Sequence, residues 1–135
     1  METIILDNDI KVFYVTAKSF PDGIMDAHEA LHALVPISTN RKFFGISRPE
    51  TDAIVYKAAA EEISPGEAKE LNLDTVILKN GKYVSVTIKD YVKDIQSIDG
   101  AFKELLSSPG LDPQGYCVEW YFNDTDVKCM IRLAK

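Results

Sequence analysis

The sequence repeats itself at an offset of about 71 residues, and this duplication limits the folds available to the chain. The matched positions, in chain order, are residues 3–6 with 75–78, residues 15–20 (VTAKSF) with 86–91 (VTIKDY), Gly45 with Gly115, and Asp52 with Asp126. The matches keep one order through strand-like and helix-like segments, which chance similarity does not explain. We therefore interpret the chain as two copies of one supersecondary unit.

Each copy predicts a strand, a helix and two further strands. Alternating apolar residues indicate half-buried strands, and apolar residues at helical spacing indicate helices that lie flat on a sheet. The predicted strands span 12–18 and 83–89, the helices 22–35 and 95–107, and the closing hairpins 43–48 with 53–60 and 115–122 with 127–134. Asn80-Gly81 predicts a tight hairpin turn after the strand at 75–78.

The expected fold class is α+β, in a single domain. Repeat one covers about residues 1–62 and repeat two about residues 73–135, with a linking turn at residues 63–67. The two pseudo-symmetric repeats are expected to form an antiparallel sheet with the helices on one side. We expect a ligand cleft between the repeats.

Composition argues against several classes of function. The chain has 135 residues and a formal net charge of −6, whereas a nucleic-acid-binding face needs Lys and Arg to neutralise phosphates. No apolar run is long enough to span a bilayer, and the acidic N-terminus does not resemble a signal peptide. Cys117 and Cys129 form no disulfide framework and are expected to be reduced thiols. We therefore expect a cytoplasmic protein that contacts neither nucleic acid nor a membrane.

One face of the predicted sheet carries many aromatic side chains. Val118 and Trp120 alternate with Glu119 and Tyr121, and we assign the more apolar pair to the side covered by helices. The helix-free face then carries four tyrosines and one carboxylate: Tyr14, Tyr56, Tyr83, Tyr121 and Glu119. An aromatic cleft with a single acid suits planar apolar ligands and especially cations, which the rings and the carboxylate attract.

Two units of this kind resemble the GyrI-like small-molecule-binding domain, which is also the effector-binding domain of AraC-type and MerR-type multidrug-sensing regulators. The segments that carry the resemblance are residues 81–87 (GKYVSVT), 115–121 (GYCVEWY) and 126–131 (DVKCMI). The resemblance implies a central glutamate on the penultimate strand, the place of Glu119, and pocket aromatics at Tyr83, Tyr121, Tyr14 and Tyr56. No helix-turn-helix segment accompanies the repeats, so the resemblance implies a stand-alone form.

Members of that family differ in function, and three functions stay open. The first is a non-catalytic binder of a lipophilic small molecule, without a cofactor. The second is a hydrolase of a reactive small molecule in the same cleft, with Glu119 as acid or base and Tyr121 as a proton donor. Cys117 could act as a nucleophile, but no predicted histidine lies beside it to activate the thiol. The third is an interaction module for a protein partner such as DNA gyrase, and a second copy of the chain is another candidate partner.

A competing motif lies on the first predicted helix. His28 and His32 frame the sequence HEALH, which has the spacing of a zinc peptidase, with Glu29 as the general base. A third ligand would have to be a carboxylate such as Glu50 or Glu62. The positions that match the two histidines in the second repeat are Asp99 and Lys103, an ion pair typical of a solvated helix edge. We therefore favour a boundary pair of histidines and expect no metal, with a zinc peptidase as a remote alternative.

Overall fold

In a computed structural model that describes residues 1–36, 38, 40–50 and 53–134, the chain forms eight strands and three helices. The strands are β1 (Glu2–Leu6), β2 (Ile10–Thr16), β3 (Phe43–Glu50), β4 (Ala53–Glu61), β5 (Asp74–Leu78), β6 (Gly81–Ile88), β7 (Cys117–Trp120) and β8 (Val127–Arg132). The helices are α1 (Ile24–Leu34), α2 (Glu67–Glu70) and α3 (Gln96–Leu106), and a 3₁₀ turn at Tyr91–Lys93 precedes α3. The predicted match of Asp52 with Asp126 lies outside the described residues.

All eight strands of the described residues belong to one antiparallel sheet, in the order β1-β6-β8-β7-β3-β4-β2-β5. The sheet curls into a half-barrel. Helix α1 packs on β2 and β4, and α3 packs on β6 and β8, so both cover the convex face. The predicted α+β class with an antiparallel sheet is confirmed. None of the helices in the described part of the chain is long and apolar enough to cross a membrane.

The first strand of each repeat, β1 or β5, pairs with a strand of the other repeat. β1 lies beside β6, with Ile4 opposite Tyr83, and β5 lies beside β2, with Val76 opposite Val12. The prediction that Asn80-Gly81 closes a hairpin after residues 75–78 is therefore wrong, because the strands flanking this turn are not neighbours in the sheet. Each exchanged strand buries apolar side chains against the other repeat, which outweighs the local preference of Asn-Gly for a tight hairpin.

Helix α1 fits closely on the sheet because strand β4 presents small side chains to it. The cluster under the helix comprises Phe13, Ala27, Leu31, Val35, Phe43, Ala58, Ala60 and Ala68. The helix ends at Leu34, where Pro36 favours an extended backbone for Val35. Helix α3 packs in the same way against Val127, Cys129 and Ile131.

The concave face of the sheet, which no helix covers, also carries a core. Its buried side chains are Val12, Phe44, Ile46, Ala59, Leu78, Tyr83, Val118 and Met130. These residues come from seven strands and meet because the sheet curls. Both faces of the sheet therefore bury apolar side chains, unlike a half-solvated antiparallel sheet with one apolar face.

Candidate functional site

A wide cleft opens on the convex face between α1 and α3. It lies over β3 and β7, the two strands through which the repeats meet in the sheet. The volume of the cleft is about 1770 Å³, and Glu119 and Tyr121 lie among its lining residues. The two helices and the strands at the junction of the repeats therefore form the walls and floor of the cleft.

Glu119 lies on the face of the sheet that the helices cover, and the predicted helix-free location is wrong. In the ladder between β7 and β8, Glu119 lies opposite Cys129, which packs under α3, whereas Val118 lies opposite Met130 in the concave core. The two sets of side chains in β7 are therefore exchanged relative to the prediction. Because successive side chains of a strand alternate between faces, an error of one residue reverses every assignment.

The structure brings together three of the five residues predicted for the ligand site. Tyr56 and Tyr121 contact Glu119. Tyr83 lies on the concave face, where its hydroxyl donates to the carbonyl oxygen of Lys79 at 2.6 Å. Tyr14 packs against that same concave core. The predicted cluster of four tyrosines is therefore divided between the two faces.

A chain of hydrogen bonds begins at Glu119 and runs to α1. The hydroxyl of Tyr56 donates to Glu119 Oε1 at 2.9 Å, and the hydroxyl of Tyr121 donates to the same oxygen. His28 Nε2 lies 2.8 Å from the Tyr56 hydroxyl oxygen. When Glu119 is ionised, Tyr56 donates its one hydroxyl proton to the carboxylate. The hydrogen bond between His28 and Tyr56 then requires a proton on His28 Nε2, which donates to the Tyr56 hydroxyl oxygen. His28 therefore orients the tyrosine that holds the carboxylate.

Burial shifts the proton affinities of these groups. Loss of water raises the pKa of Glu119 above its ordinary value, although the hydrogen bonds from Tyr121 and Tyr56 oppose the change. Burial and the nearby His32 lower the pKa of His28 to about 4, so His28 is neutral near pH 7. Burial and the Glu119 charge raise the pKa of Tyr56 and of Tyr121. Near neutral pH the site thus presents one carboxyl group surrounded by neutral donors.

The sequence interpretation missed three aromatic rings around Glu119. His28 contacts Tyr56 and Tyr121 edge-on, at centroid distances of 5.7 and 5.4 Å. Phe20 stacks on Tyr56 at 6.1 Å, and Tyr91 lies 5.5 Å from Tyr121. The duplication contained a signal for two of them, because Phe20 and Tyr91 occupy matching positions in the repeats.

The rim of the cleft is strongly apolar. Six large apolar side chains that are at least a third exposed line it: Phe20, Met25, Ile54, Ile95, Leu106 and Phe122. Large apolar patches on a protein surface commonly mark the place where a ligand or another molecule binds. The rim therefore suits contact with the apolar surface of another molecule.

The two histidines of the HEALH motif do not complete a metal site with other described residues. Their rings stack with centroids 6.3 Å apart, and no group of three described His, Cys, Asp or Glu residues has metal-binding geometry. Of the candidate third ligands, Glu50 pairs with Lys57, and Glu62 pairs with Lys11. Both histidines are half-buried and line the cleft, and His28 also forms a hydrogen bond with Tyr56.

Cys117 also lines the cleft, but its chemistry does not suit a nucleophile. Burial and the charge of Glu119 raise the pKa of the Cys117 thiol to about 11. A thiol of this pKa is almost entirely protonated at neutral pH, and the thiolate is the reactive form. Cys117 therefore contributes packing and polarisable surface to the cleft.

Solved structures of other proteins share this fold. An integron cassette protein from the mobile metagenome of Vibrio cholerae matches with a TM-score of 0.71 and 16% sequence identity, covering 98% of this chain and 94% of that protein. A hydrolase from Listeria innocua matches with a TM-score of 0.56 and 14% identity, covering 98% and 90% of the two chains. No protein-family model and no curated protein sequence matches this chain. At such identities the likeness shows the fold alone.

Proposed function

We propose that this chain is a GyrI-like binding protein that holds a lipophilic aromatic cation in the cleft, with the charge of the ligand against Glu119. The observation that carries the proposal is the environment of the Glu119 carboxylate. It accepts hydrogen bonds from two phenols, and no described Lys, Arg or His lies within 4 Å of it as an ionic partner. A desolvated carboxylate without a counter-charge gains most from a cation that enters the cleft.

The aromatic rings around the carboxylate support a cationic ligand. Tyr121 and Tyr91 line the cleft with their ring centroids 5.5 Å apart, and ring faces attract a cation most strongly where water is excluded. The apolar rim would take up the hydrophobic body of the same ligand. A ligand that satisfies both features carries one positive charge on a planar or bulky apolar frame.

Replacing Glu119 by glutamine is expected to weaken binding of N-methylquinolinium by about 10- to 150-fold, corresponding to about 1.5–3 kcal/mol for a charged interaction. Glutamine keeps the size of the side chain and can still accept from the tyrosines, so the change removes mainly the charge. Isothermal titration calorimetry of wild type and Glu119→Gln measures this difference. The neutral near-isostere 1-methylnaphthalene is expected to bind both proteins alike.

A matched control for the charge change is Glu29→Gln. Glu29 is exposed on α1 and lies outside the cleft, so its replacement alters the net charge without altering the site. Equal losses of affinity in Glu119→Gln and Glu29→Gln would contradict a role for the Glu119 carboxylate. Failure of N-methylquinolinium to bind wild type would contradict the cationic class itself.

The affinity for a permanently charged aromatic cation is expected to increase with pH. Burial raises the pKa of Glu119 above its ordinary value, so below that raised pKa the free protein holds a proton that must leave when the cation binds. Affinity therefore rises by up to about tenfold per pH unit until the pH exceeds the raised pKa, and is then constant. Titrations with N-methylquinolinium between pH 5 and 8 test this, because the charge of the ligand does not change. The Glu119→Gln protein should show a flat profile, and a flat wild-type profile would count against the prediction.

A second candidate function is hydrolysis of a reactive small molecule in the same cleft. It is favoured by the hydrogen-bonded chain of His28, Tyr56 and Glu119, which offers a proton acceptor and donors at one place. A structural neighbour is a hydrolase, from Listeria innocua. Mass spectrometry of a strained electrophile incubated with the protein separates the two functions. Turnover that disappears in Glu119→Gln would favour the hydrolase, and saturable binding without turnover would favour the binder.

A further inference from the structure

The concave face of the sheet holds a cavity that is separate from the cleft. Its volume is about 340 Å³, and it is lined by side chains from β3, β5, β6, β7, β8 and residues 112–116. Val118 lines this cavity, whereas its neighbour Glu119 lines the cleft. The two spaces therefore lie on opposite faces of one sheet.

We propose that this concave cavity is a second binding site, for a small planar aromatic carboxylate. Its lining carries three cationic side chains, Arg48, Lys79 and Arg132, against the one carboxylate of Asp112. This excess of positive charge occurs in a chain whose net charge is −6. The lining of the concave cavity thus has a local excess of positive charge, which attracts an anionic ligand.

Arg48 is held in place before any ligand arrives. Its guanidinium lies 4.3 Å from the ring centroid of Tyr116, and its first terminal nitrogen donates to the carbonyl oxygen of Gln114 at 2.9 Å. Its Nε lies 4.0 Å from Glu50, whose carboxylate is closer to Lys57, at 3.2 Å. The second terminal nitrogen of Arg48 makes no hydrogen bond to a described residue and remains able to donate to an anion.

Arg132 is fixed in a similar way on the other side of the cavity. Its Nε donates to the carbonyl oxygen of Asn80 at 2.8 Å, and its first terminal nitrogen pairs with Asp112 at 3.0 Å. Its second terminal nitrogen likewise has no acceptor among the described residues. Lys79 is exposed and forms no salt bridge within the described part of the chain. Two preorganised guanidinium groups and a mobile ammonium suit a carboxylate, which guanidinium groups recognise well.

The floor of the concave cavity is apolar, so the part of the ligand that contacts this floor must be apolar as well. Leu78, Tyr83 and Val118 line it and are each at most 3% exposed. A volume of about 340 Å³ is near the lower end of the range for small-molecule sites and fits a compact ring system. An inorganic anion has no apolar surface to bury against this floor. Tyr83, which the sequence placed beside Glu119, belongs to this second site instead.

The test uses 2-naphthoate and its neutral analogue 2-naphthalenemethanol, titrated into the full chain by calorimetry. The carboxylate is expected to bind about tenfold more tightly than the alcohol, and Arg48→Gln is expected to reduce naphthoate affinity by about tenfold or more. Lys79→Gln, at an exposed position that cannot disturb folding, is expected to reduce it by a few-fold. Lys89→Gln removes an exposed lysine outside both sites and is expected to change nothing.

The proposals for the two binding sites can be tested and rejected independently of each other. Glu119→Gln should leave naphthoate affinity unchanged, and Arg48→Gln should leave N-methylquinolinium affinity unchanged. The proposal of a second site is overturned if the acid and the alcohol bind equally, or if Arg48→Gln and Lys79→Gln both behave like Lys89→Gln. Competition between naphthoate and N-methylquinolinium for one place would also overturn it. None of these results would affect the proposal for the cleft.

Discussion

Gly45→Ala is expected to destroy the cleft site and to lower the free energy of unfolding by about 1–3 kcal/mol, the cost of overpacking a filled core. Gly45 lies opposite Glu119 in the ladder between β3 and β7. A Cβ atom at this position would overlap the Tyr56 hydroxyl and lie 2.7 Å from Tyr56 Cζ and 2.8 Å from Glu119 Oε1. Tyr56 is 1% exposed and rigid, so it cannot move aside without displacing its neighbours. The tyrosine and the carboxylate must then separate, and affinity for N-methylquinolinium should fall at least as far as in Glu119→Gln.

Gly100→Ala is the matched control for the effect of Gly45→Ala on stability. A Cβ atom at Gly100 meets no other atom within 4 Å, and the residue lies inside α3. Alanine is the better helix former there, so this variant is expected to gain about 0.5–1 kcal/mol of stability. Urea denaturation gives both free energies of unfolding, and calorimetry gives the affinity of Gly45→Ala for N-methylquinolinium. If Gly45→Ala retains wild-type stability and binding, the contact between Gly45, Tyr56 and Glu119 has been assigned incorrectly.

Leu31→Ala is expected to lower the free energy of unfolding by about 2–5 kcal/mol. The Leu31 side chain is 0% exposed and packs between α1 and the alanine-rich strand β4. Its loss leaves a cavity in a densely packed layer, because the small side chains of β4 cannot expand to fill the space. Denaturant unfolding followed by circular dichroism measures the effect, and an unchanged slope against denaturant would show that the unfolding remains a comparable two-state process.

Leu34→Ala provides the same chemical change on the same helix. Leu34 is 46% exposed, so its replacement should alter the free energy of unfolding by no more than about 0.5 kcal/mol. Periodicity alone placed both leucines on the apolar stripe of the predicted helix. Equal losses of stability in the two variants would contradict the observed packing of α1 on the sheet.

The positions of helices and strands could be predicted because they depend on local patterns. The predicted helices at residues 22–35 and 95–107 contain α1 and α3, with ends that differ by at most two residues. Apolar spacing and the prolines that follow each helix are enough for this result. The strand partners could not be predicted in this way, since the exchange of β1 and β5 depends on burial between residues far apart in the sequence.

Glu119 could be singled out because it is an acid in a run of aromatic residues on a strand. Its companions at Phe20, Tyr91 and His28 come from loops and a helix, and no local pattern relates them to β7. The repeat match of Phe20 with Tyr91 is visible in the sequence, but only the tertiary structure places these rings against Tyr56 and Tyr121, the two partners of Glu119. The HEALH motif did not reveal the contact of His28 with Tyr56 for the same reason, because the surroundings of His28 depend on where α1 is placed.

The duplication, the α+β class and the single acid of the aromatic run follow from the sequence by itself, because residue spacing encodes local periodicity directly. The tertiary structure alone decided which face of the sheet each side chain occupies. The alternation of side chains along a strand separates the two faces of a sheet, but it identifies the buried face only when the other face is solvated. Here the helices cover one face of the sheet, and the curl of the sheet buries the other. That second core is the reason why Tyr83 and Glu119, predicted to be neighbours, lie on opposite sides of the sheet.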